Sequence, residues 1–136
     1  MIKPEAVHKE YAGAILKIIN EKGFHIAGIR MTRLSQMQAQ DFYAVHKERP
    51  FYNPLVEFMS SGPIIVAVLE KENAVEDYRK IIGATDPAKA EEGTIRKLFA
   101  ESIQNNAVHG SDSDENAIIE CDFFFSRSER FYKSDK

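Results

Sequence analysis

Apolar positions recur at helical spacing from Ala6 to Lys22, where Tyr11, Ile15, Ile18 and Ile19 fall on one face and Gly23 offers a stop. The pattern then switches to alternation over Phe24–Leu34, the signature of a strand. Ser35 followed by Gln38 has capping-box spacing and opens a helix to about His46. Asn53-Pro54 offers a capping side chain and then a first-turn proline, and that shorter helix closes near Ser60-Ser61-Gly62. Pro63–Leu69 is continuously apolar and rich in β-branched residues, which predicts a strand covered on both faces. Asn73 with Glu76 starts a helix that runs to Ile82 and stops at Gly83. Gly83–Thr94 reads as loop around Thr85-Asp86-Pro87, and Thr94–Ser102 as one or two helical turns. Ser113 caps a last helix through Glu120, Phe123–Phe125 pack behind it, and a charged tail over 126–136 lies on the surface. Helices and strands interleave along the whole chain, so the pattern predicts a single α+β domain over 1–136, a sandwich of helices on one sheet.

Composition narrows the partners. The longest apolar run, Pro63–Leu69, is far short of the ~18–20 residues a membrane span needs, and the first residues carry no hydrophobic leader. One cysteine, Cys121, cannot pair within the chain and fits a reducing compartment, so a cytoplasmic location is expected. A net charge of −3 argues against a nucleic-acid partner, because backbone-phosphate binders carry a basic surplus. Nucleotides are a different matter, since a few convergent cations hold a triphosphate whatever the sum over the chain.

The chemistry concentrates in Asn106-Ala107-Val108-His109-Gly110-Ser111-Asp112-Ser113. A histidine in a polar, turn-rich stretch is largely neutral near pH 7 and can act as a nucleophile without a strong base. Gly110 permits backbone angles closed to other residues and leaves room beside the ring. Asp112, Asp114, Glu115 and Glu120 follow closely enough to orient the ring or hold a metal. By itself this segment reads equally as an ordinary surface loop.

Other segments give it context. Ile2-Lys3-Pro4-Glu5-Ala6-Val7, Arg49-Pro50-Phe51, Leu55-Val56-Glu57-Phe58-Met59, Ser61-Gly62-Pro63, Gly83-Ala84-Thr85-Asp86-Pro87 and Gly93-Thr94-Ile95-Arg96 stand in order around the histidine motif. Together these pieces resemble the nucleoside diphosphate kinase family from the first residues to about Phe125. The resemblance implies a ferredoxin-like βαββαβ fold with a four-stranded antiparallel sheet and helices on one face. It implies transfer of the terminal phosphate of a nucleoside triphosphate, mainly ATP, to a nucleoside diphosphate through phospho-His109, in a ping-pong exchange. A non-catalytic nucleotide-binding module of the same fold and a protein-histidine phosphocarrier are the alternatives.

Roles carry over by position. Lys3, Arg79 and Arg96 match phosphate-binding cations, and Thr85 adds a hydroxyl donor. Glu120 matches the carboxylate that orients the imidazole, Ser111 a supporting hydroxyl, and Tyr43 a residue placed near the histidine. Phe51 and Leu55 match the clamp on the base, while Lys3 and Asn106 match residues that reach the sugar hydroxyls. Broad base and sugar specificity follows, because stacking reads only the flat face that every base has. The implied cofactor is Mg²⁺ carried on the nucleotide phosphates, with no protein metal cage. The implied assembly is a homo-oligomer, tetramer or hexamer, built from a shared dimer.

Two departures stand out. Members of the family have several residues ahead of the position of Ile2 that form most of a central first strand. That strand is therefore expected to be shortened here or missing from this sequence, with residues preceding Met1. Glu5 stands where many relatives have Asp, a conservative change.

Overall fold

The computed structural model describes residues 1–135. Its two full strands, β1 (His25–Thr32) and β2 (Ile64–Glu70), pair antiparallel from His25–Glu70 to Thr32–Ile64, with a bulge between Ile26 and Gly28. Ile2 continues the sheet by single antiparallel bridges to Ile65 on one side and Val108 on the other. The order is thus β1, β2, Ile2, Val108. Of the expected four strands, the described residues form two full strands in one ladder, with the other two represented by the single-bridge positions Ile2 and Val108.

Among the described residues seven α-helices surround this sheet: α1 (Pro4–His8), α2 (Ala12–Glu21), α3 (Gln36–Phe42), α4 (Tyr52–Met59), α5 (Ala74–Ile82), α6 (Ile95–Phe99) and α7 (Asp114–Phe124). Side chains of β2 alternate between two clusters. Ile65 joins Ile2, Ala6, Ile15, Ile19, Tyr78, Ile82 and Ile95, so α1, α2, α5 and α6 cover that face. Ile64, Val66 and Val68 meet Leu34, Ala39, Val56, Met59 and Phe125 on the opposite side. The connection from β1 to β2 therefore brings α3 and α4 over the second face, in addition to the helices expected on the first.

Local signals set most boundaries. Ser35 and Gln38 form the capping box, and Ser113 Oγ accepts from Asn116 N–H at the start of α7. The long helix expected over Ala6–Lys22 is broken into α1 and α2 at Glu10, whose φ is +65°. Asn53 does not cap α4, which begins one residue earlier with Pro54 in its first turn, where a missing N–H costs nothing. Asn73 stands at the start of α5 in a left-handed conformation without a side-chain cap bond. Helix α7 runs four residues beyond Glu120 and takes in Phe123 and Phe124, leaving Phe125 as the buried member of the trio. The tail folds back over β1, with Phe131 N–H donating to Ala27 C=O at 2.8 Å.

Candidate active site

The histidine loop is positioned by the sheet. Met1 and His109 exchange main-chain hydrogen bonds, His109 N–H to Met1 C=O at 2.9 Å and the Met1 amine to His109 C=O at 3.0 Å. Burial pulls the pKa of that amine down to about 6. The chain then turns at Gly110, and α7 returns Glu120 to the imidazole.

His109 Nε2 lies 2.6 Å from Glu120 Oε1, and the Ser111 hydroxyl donates to the same oxygen at 2.9 Å. Burial holds the His109 pKa below the usual value, against the opposing pull of Glu120. Burial works to raise Glu120, but the hydrogen bonds from His109 and Ser111 outweigh it and leave the carboxyl below its usual range. Both directions describe one state at neutral pH, a neutral imidazole against an ionised carboxylate. A carboxylate only accepts, so Nε2 carries the proton and Nδ1 presents its lone pair.

Aromatic rings wall the imidazole. Tyr43 stands perpendicular to it at 5.9 Å, and Phe42 at 5.4 Å. Tyr43 is 6 % exposed, and its hydroxyl has no partner among the described residues. Burial pushes its pKa up, so the phenol stays protonated and available as a donor. A cavity of about 130 Å³ opens on the other side of the histidine, between Val66 and Ala67 of β2, Tyr78 of α5, and Cys121 and Phe124 of α7.

Lys3 and Arg96, adjacent in space, are the buried cations. Burial and then repulsion from Arg96 bring the Lys3 pKa down to about 8. Arg96 donates from Nε to Asn106 C=O (3.3 Å), from Nη1 to Gly83 C=O (3.0 Å) and from Nη2 to Val108 C=O (3.0 Å). The residue expected as a phosphate ligand is thus also the clamp that fixes the loop ahead of His109. Gly83 fits there because its φ is +86° and a Cβ would come within 2.6 Å of Thr94 Oγ1.

Arg79 is exposed at the end of α5; its neighbour Glu76 pairs with Lys80 instead. Phe51 is 47 % exposed and Leu55, four residues on, is half-buried, so the two share one face of α4. Thr85 is exposed in the loop after α5, and its C=O accepts a long 3.5 Å contact from Asn106 Nδ2. Asn106 itself is 3 % exposed, with Oδ1 unpartnered among the described residues.

Gly110 is needed for space rather than for unusual angles. Its φ is not positive, but a Cβ would lie 2.8 Å from both Cδ2 and Cε2 of Tyr78. Sequence reasoning also missed Phe42 and Tyr78 as walls of the site. For Phe42 the only signal was adjacency to Tyr43; for Tyr78 there was none.

A neutral imidazole with a free Nδ1 lone pair, in a fold that also buries Lys3 and Arg96, suits phosphate chemistry, and comparison with known proteins agrees. The nucleoside diphosphate kinase family model matches residues 1–130. The chain is 57% identical over 129 residues to a nucleoside diphosphate kinase of Chlorobium limicola, covering 95% of this chain and 92% of that one. It is 58% identical over 131 residues to that of Flavobacterium psychrophilum, covering 96% and 94%. Among solved structures, the Aquifex aeolicus nucleoside diphosphate kinase superposes with a TM-score of 0.93 at 45% identity, covering 95% and 94% of the two chains. A Halobacterium salinarum nucleoside diphosphate kinase in complex with CDP gives 0.92 at 32%, covering 96% and 88%. The chain belongs to the nucleoside diphosphate kinase family, enzymes that pass phosphate between nucleotides.

Proposed function

We propose that this chain is a nucleoside diphosphate kinase that works by ping-pong exchange through His109 Nδ1. The observation that carries the reading is the 2.6 Å contact of Nε2 with Glu120 Oε1, which leaves Nδ1 as the free nucleophile. The Nδ1 lone pair attacks the terminal phosphorus of a nucleoside triphosphate. An N–P bond forms, and the bond from that phosphorus to the bridging oxygen breaks. The departing diphosphate keeps the electron pair. The ring gains positive character, which Glu120 stabilises across the shared Nε2 proton. A second diphosphate then attacks the phosphohistidine through a terminal oxygen, and the N–P bond breaks in turn.

Charge on the transferring oxygens faces Lys3, Arg79 and Arg96, with the Tyr43 and Thr85 hydroxyls as further donors. Phe51 and Leu55 clamp the base, and Lys3 and Asn106 reach the sugar. Among the described residues no three His, Cys, Asp or Glu side chains group to hold a metal. Glu120 is engaged by His109 and Ser111, and Asp112 by Asn116 at 2.5 Å. Mg²⁺ would arrive on the nucleotide phosphates, where it would offset their charge. We assign the chain as one domain, acting in the cytoplasm as a homo-oligomer.

The test uses γ-labelled ATP with Mg²⁺, a His109→Ala control, and a chase with unlabelled GDP. Acid-labile, alkali-stable label that is absent from the control and moves to GTP is the expected result. Label that GDP cannot discharge would indicate a phosphocarrier. No label on folded protein would indicate a non-catalytic nucleotide-binding module.

A further inference from the structure

Ala107 is the centre of a strained turn immediately ahead of the catalytic histidine. Its φ is +71°, and Val108 N–H donates back to Asn106 C=O at 2.8 Å, which closes a three-residue γ-turn of the rarer, higher-energy hand. Ala107 is fully buried, and such a conformation persists only where the surroundings over-determine it. Its carbonyl accepts from Lys3 N–H at 2.8 Å. Its N–H donates to Glu5 Oε1 at 2.9 Å across 102 residues of sequence, while Arg96 holds the carbonyls of Asn106 and Val108. Of these four restraints, only the Glu5 carboxylate satisfies the N–H of the strained residue itself.

We infer that Glu5 is a positioning residue for catalysis, whose carboxylate latches the Ala107 turn and so fixes Asn106 and His109 in their working places. The inference rests on the reading of His109 as the phosphate acceptor. Without the latch, Ala107 relaxes towards negative φ. The buried N–H would otherwise be left without an acceptor, and the direction in which the chain enters Val108-His109 changes. Glutamine at position 5 keeps an acceptor oxygen. Glycine at position 107 takes positive φ without steric cost, and so removes the strain that the latch opposes, although its N–H still needs an acceptor.

The experiment compares Glu5→Ala, Glu5→Gln, Ala107→Gly and the double variant Glu5→Ala/Ala107→Gly. Phosphoenzyme formation, kcat, KM and amide hydrogen exchange are measured on each. Glu5→Ala is expected to lower kcat about 10- to 100-fold. It should also speed exchange at the Ala107 amide at least about 10-fold, the range of one lost charge-assisted hydrogen bond. Glu5→Gln should retain most activity, and Glu5→Ala should cost several-fold less on the Ala107→Gly background than on the unsubstituted protein, since glycine carries no strain at this φ. If Glu5→Ala fails to accumulate, Glu5→Met supplies the same bulk without an acceptor. A Glu5→Ala protein with lowered Tm but unchanged kcat and unchanged Ala107 exchange would overturn the inference, as would a double variant no better than Glu5→Ala. If the unsubstituted protein forms no phosphoenzyme, the reading of its function fails. The Ala107 exchange rate and the His109 imidazole resonances still decide whether Glu5 holds the turn.

Discussion

Glu120 Oε1 takes two hydrogen bonds, from His109 Nε2 at 2.6 Å and from the Ser111 hydroxyl at 2.9 Å, so one carboxylate oxygen fixes both the tautomer and the tilt of the imidazole. On the proposed mechanism, activity requires the neutral ring and should be lost as falling pH protonates it. Because burial holds the His109 pKa below its ordinary value, the acid limb of kcat/KM is expected below about pH 6.5. Glu120 pulls that pKa upward. Glu120→Ala should therefore move the limb further to acid while the plateau drops about 10- to 100-fold. A pH–rate profile of both proteins checks the two effects together; an alkaline shift of the limb would contradict the assignment.

Lys3 predicts an alkaline limb. With its pKa brought down to about 8 by burial and by Arg96, the amine of the free protein loses its charge as pH rises through that value. Nucleotide affinity should weaken between pH 7 and 9, read as a rising KM for ATP. Lys3→Arg keeps its charge throughout and should flatten that rise, even where the larger head fits poorly. A KM equally pH-dependent in both proteins would remove Lys3 from the phosphate site.

Gly110→Ala should damage fold and site at once. The added methyl meets the Tyr78 ring at 2.8 Å and Ile82 Cδ1 at 3.4 Å, and neither can retreat without disturbing the α5 packing. Overpacking of this kind costs about 1–3 kcal/mol, measurable by denaturant titration. His109, one residue away, should be phosphorylated more slowly.

Phe51→Ala separates binding from stability. The ring is 47 % exposed, so thermal stability should change little, within about ±0.5 kcal/mol. Losing a stacking partner worth about 1–3 kcal/mol should raise KM roughly 5- to 150-fold. The rise should be similar for adenine, guanine, cytosine and uracil nucleotides. A rise confined to one base would mean that Phe51 reads base edges.

The parts of the fold legible in the sequence are those fixed by nearest neighbours. Ser35, Thr94 and Ser113 cap helices through hydrogen bonds spanning three residues, and β2 announced itself by an unbroken apolar run. The break between α1 and α2 was not legible, because His8-Lys9-Glu10 contains neither Gly nor Pro. Packing Ala6 and Ile15 into one cluster imposes the turn there. At the site, the polar stretch around His109 marked the histidine, and the family resemblance added Glu120 and Ser111, which the structure brings into hydrogen-bond contact. The hold of Arg96 on the loop was hidden, since its partners are backbone carbonyls that every residue has. The Glu5–Ala107 bond was hidden too: no local rule couples residues 102 positions apart. Of the two reasons the sequence offers for Gly110, backbone freedom and room, the structure uses the room, against Tyr78 rather than beside the imidazole.

The crowding of Lys3 and Arg96 ties the endurance of the fold to its chemical surroundings. Two like charges are kept together away from water in the empty protein, and their mutual repulsion is part of the folding free energy. A nucleotide phosphate bound there, as proposed, would relieve that repulsion, and any ligand preferring the native state stabilises it by mass action, about 2.7 kcal/mol at a hundredfold excess over Kd. On the proposed reading, the melting temperature of this chain should rise with nucleotide concentration, and the protein would be most robust when it has the most work to do.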